Sequence, residues 1–154
     1  MDRAKVLTLA HTHLLEVAQR ATHNIEAAQL VPYNRLPFEI LMREEVLPIL
    51  EIQLQYLEAH DLAKLQDYIV NSITKEIRGG VPYDSLLRIG NYISIELQQF
   101  FERILVGGEA HGDIAESSRV LQGLQLRLAG LRMLVTATIT NTGYQAAHTS
   151  LDWH

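Results

Sequence analysis

Apolar residues recur along this chain at alternating spacings of three and four, the pattern made by one face of an α-helix. Alternation at a spacing of two, the mark of a half-buried strand, is almost absent, so an all-α fold is expected. Asp2 stands where a helix N-cap belongs, and the first stripe runs Leu7, His11, Leu14, Ala18, Ala21, Ile25 and Ala28. That stripe predicts one long helix over residues 3–30, stopping before Pro32. Its alanines would let a partner helix approach closely.

A second helical stretch spans 37–59 and contains Pro48. Proline lacks an N–H and crowds the preceding turn, so a kink or the meeting of two helices is expected there. Leu47, Leu50, Leu54 and Leu57 form the stripe that follows. Asp61 can cap a third helix over 62–78, with Leu62, Leu65, Ile69, Ile73 and Ile77 facing inward. Gly79-Gly80 then fits a left-handed C-cap, and Pro82 marks where the next helix, 83–106, begins. The seam of that helix is Leu86, Gly90, Ile93, Leu97, Phe100 and Ile104, in which Gly90 leaves a notch.

Gly107-Gly108 closes this helix, and Asp113 is placed to cap a last one over about 114–141. Leu121, Leu124, Leu128, Leu131 and Val135 form its main stripe, and Val120, Leu126, Met133 and Leu134 widen the apolar arc. One stripe can face the bundle and the other a second chain. Thr136, Thr138, Thr140 and Thr142 are β-branched and weaken the helix end. The division expected is a helical domain over 1–142 and a linker or loose tail over 143–154. Five or six helices with short connections make a bundle of antiparallel neighbours. The stripes alone do not separate an up-and-down bundle from a globin-like arrangement.

Composition narrows the function. The 154 residues are 47% hydrophobic and 20% charged, which fits one globular domain able to bury a sizeable core. Net charge is -5, and the acids Glu39, Glu44, Glu45, Glu51 and Glu58 gather in one segment. No basic cluster is present to displace counterions from phosphates, so nucleic-acid binding is not expected. The chain has no cysteine, which removes disulfides, thiolate metal sites and cysteine nucleophiles from consideration. No run approaches the length of apolar residues that spans a membrane, and the N-terminal stretch is interrupted by His11 and His13. A cytoplasmic protein is the expectation.

At the junction of the third and fourth main helices the chain reads Ile77-Arg78-Gly79-Gly80-Val81-Pro82-Tyr83-Asp84-Ser85-Leu86-Leu87-Arg88-Ile89. This resembles a signature of bacterial sensory domains, found at the N-terminus of RsbR-type stressosome proteins and in relatives that precede PucR-type regulators. The similarity is clearest over 47–106 and fades toward both ends. It implies a haem-less, globin-like helical fold that dimerises and passes a signal to a C-terminal output such as a STAS domain. No such output lies within the 154 residues, so the resemblance implies either an excised input domain or one that acts alone. Independently of the family, Gly79, Gly80 and Pro82 read as a rigid structural turn that sets the angle between two helices.

Catalytic chemistry finds no motif. Phosphate loops, dinucleotide fingerprints and serine nucleophile elbows are missing, and adjacent acids such as Glu44-Glu45 point different ways on a helix. Seven histidines raise the question of a metal, but Glu-x-x-His pairs are absent and His13-Glu16 and His23-Glu26 run in the opposite order. No histidine falls between His60 and His111, where a proximal haem ligand would sit. Neither a catalytic residue, a metal nor a cofactor is therefore assigned.

Leu7, His11, Leu14, Leu121, Leu124, Leu128, Leu131 and Val135 are the expected homodimer interface, with His11 near it. Tyr68, Gly90, Tyr92 and Phe100 are the candidates for an apolar pocket, since pockets between helices are common ligand sites. The expected function is a non-catalytic signal-input domain that relays helix-packing changes to a regulatory output domain or partner protein. Two alternatives remain: a globin-like carrier or sensor of an apolar molecule such as a fatty acid, and a metal-dependent helical-bundle enzyme.

Overall fold

The computed structural model describes residues 1–107 and 114–152, with the side chains of 144–152 left out of the description. Every element among the described residues is helical, and the fold is an all-α bundle. The predicted first helix is present in two pieces, α1 (Arg3–Thr12) and α2 (Leu14–Ala28). Asp2 caps α1 by accepting the Lys5 N–H at 2.9 Å. The interruption is one residue, His13, whose φ of -103° and ψ of 20° leave the helical region. Thr8 and Thr12 donate their hydroxyls to the carbonyls of Ala4 and Thr8, and such back-bonding bends helices.

Gln29 ends α2 in the left-handed conformation, and a short 3-10 turn at Tyr33–Arg35 follows a cis Val31–Pro32 peptide. A short helix α3 (Phe38–Ile40), a π-helical turn over Leu41–Val46 and α4 (Leu47–Glu58) then form one continuous rod. Pro48 has no N–H to give to the Glu44 carbonyl, and the wide turn lies on the residues just before it. The kink expected at Pro48 is thus accommodated by a change of helical pitch.

Helix α5 (Leu62–Arg78) and helix α6 (Tyr83–Val106) have the boundaries the sequence predicts. Asp61 Oδ1 accepts the Lys64 N–H at 3.2 Å. At the far end of α5, Val81 N–H reaches the Glu76 carbonyl and Gly80 N–H reaches that of Ile77. These paired bonds are a Schellman motif, which requires the φ of +92° at Gly80.

Helix α7 (Ile114–Asp152) departs from expectation. The tail predicted from Gly143 onward is helical as far as Asp152. Thr136, Thr138 and Thr142 donate to the carbonyls four residues back, so their hydroxyls are satisfied inside the helix. The expected roles of Gly108 and Asp113 fall outside the described residues. At 39 residues α7 is roughly 58 Å long, against roughly 36 Å for the 24 residues of α6. The two run antiparallel, since Gly143 lies against the ring of Tyr83.

Helix α6 is the centre of the core. Its buried residues include Ile89, Ile93, Leu97, Phe100, Phe101, Ile104 and Leu105, and it packs against α1, α2, α4 and α7. Val6, Val17, Ala18, Ile25, Leu50, Leu54, Leu57, Leu124 and Leu128 close round it in one cluster. Fully burying each large side chain contributes about 1.5–3 kcal/mol. Polar ties reinforce the packing: Asn24 donates to the buried Glu96 at 2.9 Å, and Arg127 caps α4 by donating to the Leu57 carbonyl at 2.6 Å.

Helix α5 stands apart from this arrangement. Ile69 is its one buried residue, and with Tyr56 and Leu131 it forms a separate, smaller cluster. Among the described residues no helix is long and apolar enough to cross a membrane.

The turn between α5 and α6 offers a direct check of this architecture. A Cβ at Gly80 would meet no neighbour within 4 Å, so Gly80→Ala perturbs only the backbone. It is expected to lower unfolding stability by about 1–2 kcal/mol in a urea titration. An unchanged midpoint would contradict the left-handed cap.

Candidate functional site

Between the main core and the small cluster under α5 lies a cavity of about 230 Å³. The π turn and α4 form one wall, α5 the cover, α6 the floor and α7 the far side. Ile49, Ile52, Ile69, Ile73, Ile89, Leu131 and Val135 supply apolar lining. The opening follows from sequence at two places. Gly90 sits on the α6 seam with nothing within 4 Å of where a Cβ would stand, so the expected notch is real. Helix α5 has too few fully buried side chains to fill the space beneath it.

Gln53 crosses the inner wall. It is 5% exposed, and its Nε2 donates to the Gly90 carbonyl at 3.1 Å. Its Oε1 is buried and has no hydrogen-bond partner. Leaving a buried acceptor without a donor costs about 1–3 kcal/mol, which makes this atom conspicuous in an otherwise satisfied core.

The mouth is acidic. Glu44, Glu45 and Glu76 line it, together with the guanidinium of Arg132. None of the three carboxylates forms an ion pair with a described residue. Burial pushes the Glu45 carboxyl above its ordinary range, and the charges of Glu76 and Glu44 push it further. Burial also raises the Tyr33 hydroxyl, with Glu45 and Glu76 adding to the effect, so this phenol stays protonated. The wall therefore combines an apolar interior, a buried acceptor and an excess of negative charge at the entrance.

Of the residues expected to form a pocket, Gly90 lines the cavity and three do not. Tyr68 is 55% exposed and borders a shallow cleft with Gln55, Asp61 and Lys64 on another side of α5. Phe100 is buried in the main core beside His13, with ring centroids 5.7 Å apart. Tyr92 is half-buried, and the Arg88 guanidinium approaches its hydroxyl at 3.5 Å. The contributors that the residue pattern did not single out are Tyr33, Glu45, Gln53 and Glu76. Gln53 carried the one available signal, an amide on the inward face of an otherwise apolar stripe.

The expected dimer interface also needs correction. Leu7, Leu124, Leu128 and Leu131 are buried within the subunit, and Leu14, Leu121 and Val135 are half-buried against its clusters. His11 is off the buried seam and pairs with Glu58 at 2.6 Å, tying α1 to the end of α4. Of the second stripe on α7, Leu126 and Met133 stand outside, 73% and 72% exposed, while Val120 and Leu134 pack partly against the clusters. Gly123, Gly130 and Ala137 interleave with Leu126 and Met133 on that same outward face, so the five residues follow alternating spacings of three and four.

Comparison of the chain with protein-family models, with curated proteins and with solved structures finds no match.

Protonation of Glu45 gives a test of the site's electrostatics. Its raised folded value means that the folded chain holds this proton more tightly than the unfolded chain does. Stability contributed by the group is therefore lost as pH climbs from the ordinary carboxylate range through the folded value. Glu45→Gln removes that loss, so at neutral pH the variant is expected to melt at a higher temperature than the parent. The difference should vanish once both states are protonated in acid. A variant that melts lower at neutral pH would contradict the assignment.

Proposed function

We propose that the chain is a non-catalytic sensory module, in which a small molecule enters the cavity beneath α5 and α7 carries the effect to a second copy and a regulatory partner. One observation carries this reading. Leu131 and Val135 of α7 line the cavity, while Leu126 and Met133 on the outer face of the same helix stand in solvent. A change in how α5 closes over a ligand bears directly on a helix that presents a free apolar stripe.

The outer stripe Gly123, Leu126, Gly130, Met133, Ala137 has the spacing of a coiled-coil seam. A glycine inside a helix costs about 1 kcal/mol relative to alanine. No packing among the described residues explains Gly123 or Gly130, because a Cβ at either would meet none of them within 4 Å. Two such faces related by a twofold axis approach closely at the small residues and interdigitate at Leu126 and Met133. A homodimer through this outer stripe replaces the one first expected from the inner stripe. The resemblance of Ile77–Ile89 to RsbR-type input domains supports the same class of function, a cytoplasmic regulator acting through an output domain or partner.

Solution mass tests the proposal. The parent is expected to be a dimer at tens of micromolar, and Leu126→Glu with Met133→Glu is expected to be a folded monomer. A monomeric parent, or a variant that remains dimeric, overturns the outer-stripe interface.

A further inference from the structure

The polar groups of the cavity specify more than an apolar ligand. Three carboxylates, Glu44, Glu45 and Glu76, line the cavity against a single guanidinium, Arg132. Deeper in, Gln53 Oε1 is an acceptor with no donor. Both features ask for the same thing from an occupant, hydrogens carrying positive charge or partial positive charge. An anion entering here would meet the carboxylates and still leave the acceptor unsatisfied.

Resting on the cavity reading above, we propose that the ligand is an amphipathic organic cation, an alkylamine-like molecule whose apolar body fills the space beneath α5. The ammonium sits at the rim, where Glu44, Glu45 and Glu76 accept its hydrogens. The apolar body lies against Ile52, Ile73 and Val135. A hydrogen-bond donor along the body, an amine or a hydroxyl, would complete Gln53. Charge selects the head group and the apolar lining supplies the contact area. Three carboxylates outnumber the single Arg132 guanidinium, which disfavours a fatty acid as the occupant.

The cavity is tested on the intact chain at neutral pH and low salt with three probes that share one apolar body: hexylammonium, hexan-1-ol and hexanoate. Methyl resonances of Ile52, Ile73 and Val135 report where each binds. Hexylammonium is expected to bind at least about tenfold more tightly than hexanoate, with the advantage shrinking as salt is added. Glu76→Gln is expected to remove most of that advantage and leave hexan-1-ol unaffected. Glu26→Gln, an equal change of net charge on the exposed face of α2, is expected to preserve it. Hexan-1-ol binding in the cavity with no preference for hexylammonium over hexanoate overturns the cation assignment and leaves the cavity reading standing. Failure of all three probes to move those resonances overturns both.

Discussion

Burial of α6 along nearly its whole length is the constraint on which the rest of the structure depends. Large side chains from Ile89 to Leu105 occupy several of its faces, so α1, α2, α4 and α7 must all close round it. Close packing of that kind leaves little freedom, because each buried side chain already touches many others. Helix α5 follows α4 in the chain but finds these positions taken. It rests on a smaller cluster with Tyr56 and Leu131, and the space between that cluster and the core is the cavity. The opening thus follows from α5 packing on α7 and α4 and not on the central helix.

The same constraint gives α7 two unlike faces. Leu124 and Leu128 fix it to the core, which sets its rotation about its own axis. Once that rotation is set, Leu131 and Val135 point toward α5 and the cavity, and Leu126 and Met133 point outward. A ligand that draws α5 inward would press on one side of a rod whose other side is the proposed dimer seam. Coupling of this kind needs no moving hinge, only a helix shared by two sites. Arg127 holds that helix to the end of α4 through the Leu57 carbonyl, which limits sliding along its axis.

Sequence reading recovered the elements whose ends carry local chemical signals. Asp61, Gly79-Gly80 and Pro82 mark the limits of α5 and α6 because capping and left-handed turns depend on particular residues. The break at His13 lacks such a marker, since it arises where threonine hydroxyls compete for backbone carbonyls, whereas Pro48 marked a disturbance without saying that a wide turn would absorb it. The threonines of α7 misled for a related reason: β-branching opposes a helix, yet their hydroxyls bond back to its carbonyls. Gly90 was legible as a notch because an absent side chain is visible on any seam. Tyr68 and Phe100 were misplaced because residue type does not say which of two apolar faces turns toward a void. Glu45 and Glu76 lie on separate elements, and only the fold brings them to one rim.

Helix α5 is a weakly held cover over a cavity beside a tightly packed α6. Native-state hydrogen exchange measures this most directly, because it reports the free energy of opening segment by segment. Amides of 62–78 are expected to exchange through a local opening well below the global unfolding free energy, while those of 89–105 exchange only on global unfolding. If both segments exchange together at the global value, α5 is part of the core and the claim is contradicted.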